Sequence, residues 1–105
     1  MINGVELIAA ERQRRIDAEG FTAKYDDVHT HGELASAGAA YAETAGNQGR
    51  GFRCVGKGYK MGSMCWSTNW ELEWFKPSDD PIRNLVKAGA LICAEIDRLQ
   101  RKAAL

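Results

Sequence analysis

The chain has 105 residues, 45% hydrophobic and 27% charged, with Lys plus Arg and Asp plus Glu both at 14. That length suits one core and is short for two domains, and the even charge balance gives no global field to draw the protein onto nucleic acid or an acidic membrane. No apolar stretch approaches the roughly 20 residues needed to span a bilayer. The start from Met1 through Asn3 and Glu6 to the charged cluster Glu11 to Arg15 has no secretion-signal pattern, so the expected location is the cytoplasm of the host cell.

The first helix is predicted over about residues 4–19: Asn3 and Glu6 have capping-box spacing, and Gly20 supplies a left-handed stop. Val5, Ile8, Ala9 and Ile16 mark its inner side, and Glu11 pairs with Arg15 at i,i+4 on the wetter side. Arg12, Arg14 and Arg15 read as a solvated face. The second helix is predicted over about 31–45, from a capping box of Thr30 and Glu33 to a stop at Gly46. Its inner face of Leu34, Ala37, Gly38, Tyr41 and Ala45 is small enough for another helix to approach closely.

The third helix is predicted over about 80–102. Ser78, Asp79 and Asp80 lead into Pro81, which a first turn tolerates. Ile82, Leu85, Val86, Gly89, Ile92, Cys93, Ile96 and Leu99 keep a helical period and are expected to form the core face. Acids at its start and Arg98, Arg101 and Lys102 at its end suit the macrodipole. The fold class is therefore mainly α, a single three-helix domain.

Between the second and third helices lies a long glycine- and tryptophan-rich insertion, residues 47–77. Its first half admits a short hairpin through Phe52 to Val55 and Tyr59 to Met61, and sets Arg50, Arg53, Lys57 and Lys60 among glycines and aromatics. Gly51 to Lys57 misses the phosphate-loop pattern, because Gly58 stands where Ser or Thr is needed, yet freed amides and nearby cations still suit anions. In its second half Trp66, Trp70 and Trp74 fall at four-residue spacing, which is one face if helical. Core packing accounts for at least two of them, leaving one at a rim to stack on a base, with Trp66 or Trp70 the expected one by proximity to the basic loop.

The turn between the first two helices concentrates Tyr25, Asp26, Asp27, His29, His31 and Glu33. It reads first as helix capping and turn bonding, and second as a metal site built on His29 and His31. The acidic spacings of all-α magnesium pyrophosphohydrolases are absent, no serine sits in a nucleophile elbow, and no cysteine has an adjacent histidine to activate it. Cys54, Cys65 and Cys93 have no CxxC spacing and read as reduced thiols.

Glu11 to Phe21, Asp26 to Ala42 and Lys76 to Arg101 resemble a family of small phage and prophage proteins that read ERQRxIxxEGWT, DDxHxxGELAxAAxxYA and KPxDPIRNLVKAGALIxAEIDRLxR. Phe21 replaces the family's Trp, and Gly38 interrupts its alanine face. More remotely, the order of helix, Gly-aromatic-Thr turn and further helices is similar to the ryanodine-receptor repeat domain, although His31-Gly32-Glu33-Leu34 departs from that domain's HPxL step. The resemblance implies a module that binds or sequesters a nucleotide-like immune signal for a phage.

The reading that follows is a non-enzymatic binding domain without a cofactor. Tyr25, Asp27 and His29 from the first turn would meet Trp70, Trp74 and basic residues such as Arg83 over the end of the first helix, cations holding phosphate and an aromatic stacking on a base. The expected partner is a nucleotide-like small molecule, with no membrane and no nucleic acid. The rivals are a module that acts on a host protein or self-associates through an apolar face of the third helix, and then a metal-dependent nucleotide hydrolase.

Overall fold

Asn3 opens the first helix as the sequence predicts: its Oδ1 accepts from the Glu6 amide at 2.9 Å. The computed structural model describes residues 1–52 and 65–104, in which the chain forms helices α1 (Gly4–Glu19), α2 (Ala23–Asp27), α3 (Glu33–Gly49) and α4 (Pro81–Ala104), with a 3-10 turn at Leu72–Trp74. The fold is mainly α, and there is no strand among the described residues. The expected hairpin falls, apart from Phe52, outside those residues.

The turn after α1 holds a helix that the sequence reading missed. Gly20 stops α1 at φ +71°, and Thr22 then caps α2 by accepting from the Tyr25 amide. The predicted Thr30–Glu33 box does not form. Gly32 precedes α3 at φ +76°, and the Glu33 carboxylate reaches back to the His31 amide at 2.6 Å. Burial works against the charge on Glu33, but backbone amides bonded to its oxygens keep its pKa below the usual range. The second predicted stop also moves: α3 runs through Gly46, whose φ is not positive, to Gly49.

The core lies between α3 and α4. Leu34, Ala37, Tyr41 and Ala45 are buried on α3 as predicted, and Gly38 lets α4 approach so closely that an added Cβ would stand 3.1 Å from Ile92 and 3.3 Å from the Ala88 carbonyl oxygen. The face that α4 turns inward matches the predicted one only in part, at Val86 and at Gly89, which meets Ile8. Val86, Ala88, Ala90, Leu91 and Ala94 are buried there, together with Asn84, Glu95 and Arg98, whereas Ile82, Leu85, Ile92, Ile96 and Leu99 stand between 45% and 61% exposed. The small face of α3 selects alanines opposite it, and the polar residues are tolerated because each has a partner. Arg98 Nε donates to Glu95 at 2.6 Å, and Asn84 bonds the Ser78 amide and carbonyl as well as Gln48.

Helix α1 crosses α4 where Ile8 fills the space left by Gly89. Val5, predicted to face inward, is 79% exposed, and the one fully buried side chain of α1 is Glu11, predicted to be wet. Phe75, fully buried, anchors the segment entering α4, where Tyr41 Oη accepts from the Lys76 amide at 3.0 Å. Asp80 caps α4 by accepting from the Ile82 amide.

These contacts set expected stabilities in urea unfolding. Phe75→Ala should lose about 3–5 kcal/mol by opening a cavity in the core. Gly38→Leu should lose about 1–3 kcal/mol, because the Ala88 backbone cannot yield. Gly46→Ala, in an open helical position, should gain about 0.5–1 kcal/mol.

Candidate functional site

Three guanidinium groups converge on the buried carboxylate of Glu11. Arg14 donates through Nε and Nη2 at 2.9 Å each, Arg15 through Nε at 2.9 Å, and Arg83 of α4 through Nη1 at 2.8 Å and Nη2 at 3.2 Å. Glu11 to Arg14 and Arg15 is i,i+3 and i,i+4 on one helix, so the local geometry comes directly from α1. Only the α1–α4 crossing brings Arg83. Burial raises the cost of charging Glu11, yet bonds from Arg14, Arg83 and Arg15 outweigh it and hold the carboxyl far below its usual range. Glu11 thus fixes three positive charges, of which Arg14 is also paired with Glu19 at 3.3 Å.

Asp26 shows the opposite balance. It is as deeply buried, but the nearest cation is Arg12 at 3.3 Å, and desolvation raises its pKa despite that partner.

Arg14, Arg15 and Arg83 stand on the wall of a cavity of about 810 Å³ between α1, α3, α4 and the tryptophan segment. Lys76 and Lys87 add cations to the same wall, where Glu19 is the one acid among the described lining residues. Lys87 lies 5.2 Å over the Tyr41 ring and donates to the Lys76 carbonyl at 2.9 Å. Burial lowers its pKa, and the neighbouring Arg83 and Arg15 lower it further.

The other wall is aromatic: Phe21, Tyr25, Tyr41, Trp66, Trp70 and Trp74. Phe21 stacks on Tyr25 at 4.6 Å between centroids, Tyr25 meets His29 edge-on at 4.7 Å, and His29 meets Trp70 at 5.0 Å. Trp70 continues to Trp66 and Trp74 at 5.6 and 5.9 Å, and Trp66 to Phe75 at 5.3 Å. A continuous run of rings therefore ties the turn after α1 to the segment before α4. Trp70 Nε1 also donates to His29 Nδ1 at 3.3 Å.

Of the six predicted site residues, Tyr25, Trp70, Trp74 and Arg83 line this cavity. His29 backs Trp70 rather than lining the space. Asp27 is elsewhere: it accepts from Arg101 at 2.8 Å near the end of α4, because the short α2 turns it away from its neighbour Asp26. The tryptophans share one side without a continuous helix, since the chain between them turns and Trp66 Nε1 donates back to the Glu71 carbonyl at 3.2 Å. Trp66 and Trp70 pack partly against the core, so the rim position belongs to Trp74, at 53% exposed.

The sequence reading did not single out Arg14, Arg15, Lys76 or Lys87 as site residues. A usable signal existed for one of them: Arg83, Lys87 and Leu91 follow at four-residue steps on α4, and all three line the cavity. Of the basic loop, Arg50 is bound to Glu43 and Asn47, while Arg53, Lys57 and Lys60 lie outside the described residues. Among the described residues no three His, Cys, Asp or Glu side chains converge as a metal site would require, and no helix is long and apolar enough to cross a membrane.

Glu11→Gln should destabilise the protein by about 1–3 kcal/mol at neutral pH in urea unfolding, since it removes the carboxylate that three partly exposed guanidinium groups share. The sign of the pH effect is fixed by the depressed pKa of Glu11. Its contribution is complete above the unfolded-state value of about 4.3 and is lost as pH falls below that toward the folded value, so the gap between wild type and variant should narrow in acid.

Comparison with known proteins leaves the cavity to be read from its own chemistry, for no family model, curated protein or solved structure matches this chain.

Proposed function

We propose that the protein is a non-enzymatic binding module for a nucleotide-type ligand, held in the cavity between α1, α4 and the tryptophan segment. The observation that carries this reading is the pairing of five cations and six aromatic rings around one space of about 810 Å³. A cavity of that size is within the range of small-molecule sites. Arg14, Arg15 and Arg83 are held by the Glu11 carboxylate, with Glu19 pairing Arg14 as well, and so keep a net positive charge for phosphate, in place before any ligand arrives. Trp74 at the rim and Trp70 behind it offer flat apolar faces to a base.

The chemistry favours binding over turnover. The guanidinium groups have no proton to exchange near neutral pH, and Tyr25 and Tyr41 are raised above the ordinary phenol range, chiefly by burial. The resemblance of Glu11 to Phe21 and Lys76 to Arg101 to phage proteins fits a sequestering role toward a nucleotide immune signal, in the cytoplasm of a host cell.

Titration calorimetry and tryptophan fluorescence with matched nucleosides, nucleotides and inorganic phosphate test the reading. Nucleotides should bind far more tightly than either fragment and quench the fluorescence, and Arg83→Ala should weaken them by about 10- to 100-fold. Absence of binding across cyclic, linear and ADP-ribose-type nucleotides would remove the proposal. Lys87 adds a pH signature: anion binding favours its charged form, so binding should take up a proton at pH values around its lowered pKa. The uptake, read from calorimetry in buffers of different ionisation enthalpy, should be absent in Lys87→Met.

A further inference from the structure

Along α4, Ile82, Leu85, Gly89, Ile92, Ile96 and Leu99 alternate three- and four-residue steps, the a/d spacing of a two-stranded coiled-coil seam. The inward face of the same helix is a different one, carried by Ala88, Leu91 and Ala94. The seam's five large side chains remain between 45% and 61% exposed. Ile8 extends the apolar strip over Gly89, and Val5 follows one turn earlier on α1 at 79% exposed. A seam of this length, ~26 Å from Ile82 to Leu99 at 1.5 Å per residue, is more than scattered surface hydrophobicity.

We infer that this strip is the contact between two copies of the chain, with their α4 helices antiparallel about a two-fold axis near Gly89 to Ile92. The order of residues is self-complementary under that operation. Ile82 meets the partner's Leu99, Leu85 meets the partner's Ile96, and Ile92 meets the partner's Ile8, which covers Gly89. A two-fold contact must match one patch to itself in this way.

Charge selects the direction. Asp79 and Asp80 stand at the start of α4 and Lys102 in its last turn, where Arg101 is already held by Asp27, so antiparallel copies set acidic end against basic end and oppose their dipoles. A parallel pair would bring like charges together at both ends. The cavity of the proposed function opens away from this strip: none of the strip's residues lines it, so each copy keeps a complete site.

Sedimentation and light scattering of the full chain test the contact. The wild type should be a dimer at micromolar concentration, and Ile96→Glu should be a monomer with unchanged helical circular dichroism. A wild-type monomer at hundreds of micromolar, or a dimer that Ile96→Glu leaves intact, would overturn the inference. Direction is read from charged pairs: Ile82→Lys and Leu99→Glu should each weaken dimerisation at least tenfold, and the double variant should recover part of the loss. That pairing matches opposite charges only between antiparallel copies, so no recovery in the double variant would overturn the arrangement.

Discussion

The carboxylate of Glu11 organises this protein more than any apolar contact does. It is the one fully buried side chain of α1, and it joins that helix to α4 through Arg83 while turning Arg14 and Arg15 toward the same side. An unpaired buried carboxylate would cost far more than the fold could bear, so the three guanidinium groups are required where they stand. The excess positive charge this leaves is the electrostatic character of the cavity.

A second constraint completes the walls. Phe75, sealed in the core, fixes the chain before α4, and the rings from Phe21 through Tyr25, His29 and Trp70 to Trp66 carry contact from one connection to the other. Large rings with a polar edge suit this role, because they bury area and still find a hydrogen bond, as Trp66 and Trp70 both do. The short α2 is held against α4 by Arg101 and Asp27. The cationic side is therefore set by an ion cluster and the aromatic side by ring packing.

Helix α4 serves three surfaces at once. Ala88, Leu91 and Ala94 close the core against α3, Arg83 and Lys87 face the cavity, and Ile82, Leu85, Ile96 and Leu99 stand about half-exposed on a third side. A helix apolar on two faces gives one strong periodicity and two ways to read it. The larger side chains suggest the core, yet the small face of α3 takes Ala88 and Ala94 with Leu91 and leaves Ile82, Leu85, Ile96 and Leu99 half-exposed. Gly38 against Ala88 and Ile92 is where that choice is made.

The sequence by itself determined the helical class, the Asn3 cap, the stop at Gly20, the start of α4 at Pro81 and the small inner face of α3. These rest on contacts within a few residues, and short-range rules suffice for them. It also marked Tyr25, Trp70, Trp74 and Arg83, because aromatic rings and cations are conspicuous by type. Tertiary structure alone decided the rest. Glu11 became buried, Asp27 left the cavity for Arg101, His29 moved behind Trp70, and α4 turned its larger side chains outward. Each outcome depends on which helix lies opposite, and residue spacing along one helix carries no record of its neighbour.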